Sequence, residues 1–273
     1  MTQDALPPIP LNTGASMPAV GLGVFRATPD DTIAAVTAAL MAGYRHIDTA
    51  QVYGNEGEVG RAIRDSRVGK AQVFVTTKVA PANMAPDRVA GSVAASIAAL
   101  GFTPDLVLLH WPQPEVRRDA WRVLEDMHLG GELPAIGVSN FMAGHLQKLL
   151  DSARVMPAVN QIELSPFLQQ RQVRAVCRAA GVAVAAYSPL TKGRRLDHPV
   201  LARIAGQHAA TPAQVLLRWG LDTGAAVLPK SVRPARIAEN ITLSALSLSA
   251  EDTAALDALE ENLVTGWNPQ TIV

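Results

Sequence analysis

Two side chains suited to proton transfer lie close together in the segment 46–56. Asp48 ends a short apolar strand, and Tyr53 lies in the turn that follows it. A phenol can protonate a developing alkoxide, whereas a buried carboxylate costs several kcal/mol unless a cation pairs with it. The segment therefore predicts acid–base chemistry at a strand end, with the cation supplied by another part of the chain.

A candidate cation and a second polar group end two later apolar runs. These residues are Lys78 and His110. An ammonium beside Tyr53 would favour the phenolate and lower the phenol pKa from its ordinary value of about 10, while Asp48 would keep the ammonium charged. His110 could hydrogen-bond the substrate oxygen that receives the proton. The four residues together predict a tuned acid.

The elements that must position these residues alternate between apolar runs and helical patterns about eight times. Continuous apolar runs are typical of parallel strands that are buried on both faces. The sequence therefore predicts an α/β fold with a single (β/α)8 barrel, as one domain over residues 1–273. The predicted strands cover 19–23, 45–48, 73–78, 105–110, 135–140, 158–162, 182–187 and 225–229.

An open doubly wound sheet is the alternative fold. Gly21 and Gly23 do not support it, because Arg26 stands where a dinucleotide fingerprint would have its third glycine. Asn12-Thr13-Gly14 predicts a hairpin before the barrel, and an extra helix at about 250–262 with a tail is predicted after it.

The carboxyl ends of parallel barrel strands meet at one face, which carries the active site in such barrels. Polar residues follow most of the other predicted strands, so we expect them to belong to the same site as Asp48. They are Ser139, Asn140, Gln161, Tyr187, Ser188, Lys230 and Ser231.

Composition narrows the classes of function. The 273 residues carry a formal net charge of +0, which argues against a nucleic-acid surface or an anionic-membrane binder. The single cysteine, Cys177, excludes a disulfide framework, and the N-terminus lacks the features of a signal peptide. We expect a cytoplasmic monomer that acts on a small molecule. The histidines outside the candidate site show no metal-ligand spacing and predict no metal: His128, His145, His198 and His208.

The chain resembles the aldo-keto reductases through motifs that span nearly its whole length. They are Asp48-Thr49-Ala50, Tyr53-Gly54-Asn55-Glu56, Thr77-Lys78, Leu109-His110-Trp111-Pro112, Gly137-Val138-Ser139-Asn140-Phe141, Asn160-Gln161-Ile162-Glu163 and Leu228-Pro229-Lys230-Ser231. The resemblance implies a (β/α)8 barrel that uses NADPH, with Tyr53 as proton donor and Asp48, Lys78 and His110 completing a tetrad. Within the family, the chain looks most like bacterial 2,5-diketo-D-gluconate reductases.

The resemblance also implies residues that hold the cofactor. Ser139, Asn140 and Gln161 match groups that bind the nicotinamide carboxamide, and Tyr187 matches the aromatic residue that stacks on the ring. A lysine, a hydroxyl and an arginine at a strand–helix junction would suit a 2′-phosphate, which favours NADPH over NADH. The other matching positions are Ser188 and Leu190 near the pyrophosphate, and Lys230, Ser231, Val232, Arg236, Glu239 and Asn240 at the adenosine end.

Departures from the family pattern concern the substrate. Val79 follows the predicted catalytic lysine where the compared reductases carry a tryptophan, so we expect a lower pocket wall there. Ordinary packing is an alternative for Phe25 and Trp267. A basic loop with Lys192, Arg194 and Arg195 either reaches toward cofactor phosphates or is solvated. The predicted pocket residues are Phe25, Val52, Val79, Trp111 and Trp267.

Three functions compete at this point. The first is an NADPH-dependent reductase of aldehydes or small ketones and dicarbonyls, in the carbonyl reductase class. The second is a barrel lyase in which Lys78 forms a Schiff base with a carbonyl substrate. The third is an NADPH-binding redox sensor or partner subunit with little turnover.

Overall fold

The computed structural model describes residues 6–272, which form a barrel of parallel strands surrounded by helices. Residues 1–5 and 273 lie outside the described residues. The two ends of the predicted domain 1–273, and most of the N-terminal segment 1–6 that lacks signal-peptide features, therefore lie outside them too.

The barrel contains eight strands that pair in parallel with their neighbours in chain order. Val20 and Gly23 also form parallel bridges to Val227 and Lys230, and these bridges close the barrel. The predicted (β/α)8 fold is confirmed, and the open doubly wound sheet is wrong. The strands, with the two of an N-terminal hairpin first, are β1 (Ile9–Pro10), β2 (Ser16–Met17), β3 (Leu22–Gly23), β4 (His46–Asp48), β5 (Phe74–Val79), β6 (Leu106–Leu109), β7 (Ile136–Ser139), β8 (Val159–Glu163), β9 (Ala183–Tyr187) and β10 (Ala226–Leu228).

The hairpin of β1 and β2 is antiparallel, as the Asn12-Thr13-Gly14 turn predicts. Leu11 and Met17 pack in one cluster with Phe74 and Leu106, which are the first residues of two barrel strands. The hairpin thus covers the amino-terminal end of the barrel. The opposite end, where the candidate site residues lie, stays accessible.

The helices pack around the strands, and many begin at a proline, whose fixed φ suits the first helical turn. The last helix is shorter than the predicted 250–262, because Glu261 and Leu263 donate backbone hydrogen bonds to Phe167 O. The helices are α1 (Pro29–Met41), α2 (Glu56–Asp65), α3 (Pro86–Leu100), α4 (Arg117–Leu129), α5 (Ala143–Leu150), α6 (Arg171–Ala179), α7 (Pro199–Gln207), α8 (Pro212–Asp222), α9 (Pro234–Ile241) and α10 (Ala250–Asp257).

Alternation along β5 determines which of its side chains enter the barrel. Val75 and Val79 belong to the apolar layer between strands and helices, and Thr77 donates a hydrogen bond to Glu56 on α2. Thr76 and Lys78 therefore point to the barrel interior, since successive side chains of a strand face opposite sides. The register of β5 places Lys78 at the site.

The close contact between α2 and α3 allows a test of how the helices pack. A Cβ on Gly60 of α2 would lie 2.8 Å from Leu100 Cα at the end of α3, whereas a Cβ on Gly57 would lie 3.9 Å from Ala99 O. Gly60→Ala should lower the free energy of unfolding by about 1–3 kcal/mol, because α2 and α3 must separate.

Gly57→Ala is the matched control, since it adds the same methyl group to the same helix at ordinary van der Waals distance from its neighbour. Its unfolding free energy, measured by urea denaturation with circular dichroism, should stay equal to that of the wild type or rise slightly. Equal losses in the two variants would contradict the close approach of α2 and α3.

Candidate active site

A buried ion pair lies at the carboxyl ends of β4 and β5. Lys78 is fully buried, and its Nζ lies 2.6 Å from Asp48 Oδ1. The same nitrogen donates to Thr49 O at 2.9 Å and to Tyr53 Oη at 3.4 Å. All three ammonium hydrogens thus have an acceptor, and the predicted partner of Asp48 is confirmed as Lys78.

Tyr53 is held by a short 3₁₀ turn, Gln51–Tyr53, that ends at Gly54 with φ +66°. Gln51 Oε1 accepts from Ala80 N at 2.8 Å on one side of the turn. On the other side, Asn55 Nδ2 donates to Val24 O at 3.0 Å. The amide side chains before and after the turn therefore orient the phenol.

The supporting roles of Gln51 and Asn55 were not predicted from the sequence. Asn55 is almost fully buried and also accepts a hydrogen bond from Thr49 Oγ1 at 2.8 Å. A buried amide needs such partners. The only sequence signal was the position of two amides on either side of a turn glycine.

His110 follows β6 and lies beside Tyr53. The two ring centroids are 5.8 Å apart, with the planes at 74°. Burial, and then the charge of Lys78, lower the pKa of His110 to about 3. The imidazole is therefore neutral at physiological pH. Its Nδ1 is buried and has no hydrogen-bond partner among the described residues.

The phenol itself differs from the sequence-based prediction. Burial, and then the charge of Asp48, raise the pKa of Tyr53 well above 10.0. The predicted lowering by Lys78 is wrong for the chain alone, because the ammonium is already paired with Asp48 and burial disfavours the phenolate. Tyr53 is consequently a protonated phenol, ready to donate a proton.

The residues predicted to hold the nicotinamide form one hydrogen-bonded series. Tyr187 Oη donates to Asn140 Oδ1 at 2.8 Å, and Asn140 Nδ2 donates to Ser139 Oγ at 3.1 Å. Ser139 Oγ in turn donates to Gln161 O at 3.0 Å. Gln161 Nε2 ends the series on Asp48 Oδ2 at 2.7 Å. The predicted cofactor residues at the ends of β7, β8 and β9 are therefore joined to the buried ion pair.

The residues predicted for the adenosine end lie around the start of α9. Lys230 and Arg236 are exposed, and neither forms an ion pair within residues 6–272. Two unpaired cations beside a helix N-terminus suit a phosphate group. Glu239 differs, because it accepts a hydrogen bond from Thr211 Oγ1 at 2.9 Å. Ser188 and Leu190 follow β9. Ser231 and Val232 lie between β10 and α9, and Asn240 lies in α9.

Apolar side chains surround Tyr53 and His110 at the mouth of the barrel. The Phe25 ring lies 5.0 Å from the Tyr53 ring, and Trp111 lies 5.8 Å from Trp267, measured between centroids. Phe25 is 42% exposed and Trp267 is 79% exposed, so ordinary core packing does not account for them. Val52, beside Tyr53, is also exposed.

Val79 does not line this mouth, which corrects the prediction made from its position after Lys78. It is fully buried in the layer between strands and helices. One step along a strand reverses the direction of the side chain, so a neighbour of an inward lysine points outward.

The basic loop contacts the C-terminal segment. Lys192 Nζ donates to Thr265 O at 2.8 Å, and Arg195 Nε lies 2.8 Å from Glu261 Oε1. Two of the three cations in this loop, Lys192 and Arg195, therefore have partners within the chain and do not need a cofactor phosphate.

The other histidines and the cysteine have structural surroundings. His145 Nε2 contacts Ile272 O at 2.7 Å, and His208 Nε2 contacts Asp252 Oδ2 at 2.8 Å. Burial raises the pKa of the Cys177 thiol to about 11. In the described part of the chain, no group of three or more His, Cys, Asp or Glu residues is arranged to hold a metal ion. Nor is any helix there long and apolar enough to cross a membrane.

Comparisons with known proteins agree over nearly the whole chain. The model of the Aldo/keto reductase family matches residues 19–261. An aldo-keto reductase of Mycobacterium sp. (strain JLS) is 44% identical over 268 residues, with 97% of each chain covered. Glyoxal reductase of Bacillus subtilis (strain 168) is 39% identical over 267 residues, again with 97% of each covered. The crystal structure of a Bombyx mori aldo-keto reductase in complex with NADP has a TM-score of 0.89 at 35% identity, covering 96% of this chain and 95% of that one.

The raised pKa of the phenols can be tested by titration. The chain has three tyrosines, Tyr44, Tyr53 and Tyr187, and burial raises the pKa of each. A raised pKa stabilises the folded state below the ordinary value of 10.0, and this stabilisation is lost as pH rises through the folded-state pKa. Ultraviolet absorption should therefore show phenolate only when the protein unfolds at high pH.

Tyr53→Phe should remove about one third of the phenolate amplitude and leave the rest of the transition cooperative. A phenol that titrates below the ordinary value in the folded protein, and that disappears in Tyr53→Phe, would instead restore the sequence-based hypothesis that Lys78 lowers its pKa.

Proposed function

The chain belongs to the aldo/keto reductase family, and from this premise we propose that it is an NADPH-dependent oxidoreductase that reduces aldehydes or small ketones to alcohols. The observation that carries the proposal is the fully buried Lys78, held by Asp48 and in contact with the hydroxyl of Tyr53, beside a neutral His110. This arrangement supports a role for Tyr53 as the group that protonates the carbonyl oxygen.

In the proposed reaction, bound NADPH would supply a hydride to the carbonyl carbon. Tyr53 Oη gives its proton to the carbonyl oxygen, which becomes the hydroxyl of the alcohol. Lys78 stabilises the phenolate that remains, and Asp48 keeps Lys78 charged and in place. His110 hydrogen-bonds the same oxygen and orients the carbonyl, and its neutral state avoids a second positive charge next to Lys78. Positioned general acids are typically worth about 10²–10⁴ in rate.

The proposed cofactor fits the residues present. Asn140 and Gln161 carry amide groups near the ends of β7 and β8, and Tyr187 ends β9 with a ring that would stack on the nicotinamide. Lys230 and Arg236, which form no ion pair within residues 6–272, offer cations for the 2′-phosphate that distinguishes NADPH from NADH. Asp48, through its bond from Gln161, would link the nicotinamide site to the proton donor.

The substrate is proposed to be a small aldehyde, ketone or dicarbonyl. Phe25, Val52, Trp111 and Trp267 give the mouth an apolar wall, which suits uncharged carbonyl compounds. The glyoxal reductase among the relatives bears the name of a dicarbonyl substrate. Assignment to the 2,5-diketo-D-gluconate reductases stays a prediction.

The two alternative functions are less well supported. A Schiff-base lyase needs an available lysine, but all three hydrogens of Lys78 have acceptors in a buried site. Borohydride trapping with substrate would yield an adduct only for the lyase. A redox sensor would not need a proton donor such as Tyr53 held beside Lys78. It would also oxidise NADPH no faster with aldehydes than without them.

The deciding experiment follows NADPH oxidation with dicarbonyls, aromatic aldehydes and keto-sugars. Steady turnover with at least one class, at a rate proportional to enzyme, supports the proposal. Tight NADPH binding without turnover on any of them would favour the sensor.

Tyr53→Phe should lower kcat by at least about 100-fold, because the ring stays in place and only the proton donor is lost. Its dissociation constant for NADPH, measured by fluorescence, should remain within about twofold of that of the wild type. A large loss of cofactor affinity would refute the assignment of Tyr53 as acid alone.

Lys230→Ala should weaken NADPH binding by about tenfold or more and change NADH binding little, because only NADPH has the 2′-phosphate. Lys148→Ala, which removes an exposed lysine on α5, is the control and should change neither affinity. Equal losses for the two cofactors in Lys230→Ala would exclude the 2′-phosphate role.

A further inference from the structure

Thr265, in the segment after α10, is held on two sides by charged residues. Its backbone N–H donates to Glu163 Oε1 at 2.9 Å, and its hydroxyl donates to the same oxygen. Its carbonyl oxygen accepts from Lys192 Nζ at 2.8 Å. We call these three residues the Thr265 clamp. It uses every polar group of Thr265, which is itself buried.

The clamp is anchored beside the residues proposed to bind the nicotinamide. Glu163 ends β8, two residues after Gln161, and pairs in register with Tyr187 of β9. Lys192 lies in the loop that follows β9. The C-terminal segment is therefore fixed to the two central strands of the proposed cofactor site rather than to a distant part of the surface.

Gly266 lies close to both charged groups of the clamp. A Cβ at this position would lie 3.6 Å from Lys192 Nζ and 3.9 Å from Glu163 Oε2. Glu163 Oε2 is buried and has no hydrogen-bond partner in the described part of the chain. In the described part of the chain, the Glu163 carboxylate therefore forms its hydrogen bonds only with Thr265, through Oε1.

Trp267 follows directly and depends on the clamp for its position. Its side chain is largely exposed, and its ring pairs with that of Trp111, which follows His110 in sequence. An exposed indole with so little burial has few contacts of its own to fix it. Thr265, two residues earlier, is held through its side-chain hydroxyl as well as through its backbone N–H and C=O, and these bonds supply that constraint.

We propose that the Thr265 clamp positions Trp267 against Trp111 and thereby sets a preference for planar, aromatic carbonyl substrates. Thr265, Glu163 and Lys192 are positioning residues in this account, since none is proposed to touch the substrate. The inference rests on the proposed carbonyl reductase function and names the feature that selects among its substrates.

The test compares Thr265→Val with Thr265→Ser. Valine keeps the shape but loses the hydroxyl donor, whereas serine keeps both donors. Thr265→Val should raise KM for an aromatic aldehyde such as benzaldehyde by about tenfold, as expected for a lost hydrogen bond to a carboxylate, and raise KM for propanal by at most about twofold. Thr265→Ser should restore the wild-type KM ratio.

A spectroscopic measurement reports the clamp without catalysis. Two indoles in contact give an exciton couplet in the far-ultraviolet circular dichroism spectrum, and Trp267→Ala shows how much of the signal comes from the Trp111–Trp267 pair. The remaining tryptophans, Trp121 and Trp219, are buried and serve as background. Thr265→Val should lose a measurable part of the couplet that Trp267→Ala loses, because the hydroxyl bond to Glu163 is gone while the two backbone bonds remain, and Thr265→Ser should keep the couplet.

Lys192→Met tests the other side of the clamp, with Lys148→Met as the matched control. Lys192→Met should reduce the couplet and raise KM for benzaldehyde, with NADPH affinity within about twofold of the wild-type value. A weakened NADPH affinity together with an intact couplet would assign Lys192 to the cofactor phosphates and overturn its place in the clamp.

An unchanged couplet and KM ratio in Thr265→Val would overturn the proposal, as would a lost couplet with an unchanged KM ratio. Failure of the proposed function is a separate result: the wild type would then reduce neither aldehyde, while the couplet would still show whether the clamp holds Trp267.

Discussion

The site depends on one buried ion pair, Asp48 with Lys78. Removing two charges from water is costly, and their attraction repays that cost only when the remaining lone pairs and protons are also hydrogen-bonded. Here the requirement is met: Lys78 has three acceptors and Asp48 has a second donor in Gln161. The pair therefore constrains the ends of three strands, β4, β5 and β8, to one arrangement.

The same pair determines the protonation states around it. Its two charges largely cancel, so burial dominates the pKa of each neighbouring group. Tyr53 stays protonated and His110 stays neutral. Because Lys78 is already paired with Asp48, it does not make the Tyr53 phenol unusually acidic. Tyr53 is suited to donate a proton because of where it lies. In the proposed reaction, Lys78 contributes once the proton has left and the negative charge is on the phenol oxygen.

The mouth of the barrel is formed by residues of loops and does not depend on the buried ion pair alone. Strand ends carry the groups proposed for proton transfer, whereas Phe25 and Trp267 come from loops outside the strands. One barrel can serve many carbonyl compounds when such loops change, because the loops are not part of the packed core. In this chain the last loop is tied to β8 through Glu163 and Thr265, so the proposed substrate wall and the proposed cofactor site share an anchor.

The sequence by itself determined the order of strands and helices, the barrel, and the set of polar residues at the strand ends, because period and burial pattern are local properties of the chain. Asp48 and Lys78 could be paired in advance because a buried carboxylate needs a cation. Only the tertiary structure decided that Val79 faces the helices, that the pKa of Tyr53 is raised, and that Lys192 contacts Thr265. Each of these depends on strand register, on burial, or on neighbours 70 or more residues apart in the chain, as Lys192 and Thr265 are with a separation of 73, and no local pattern encodes such distances.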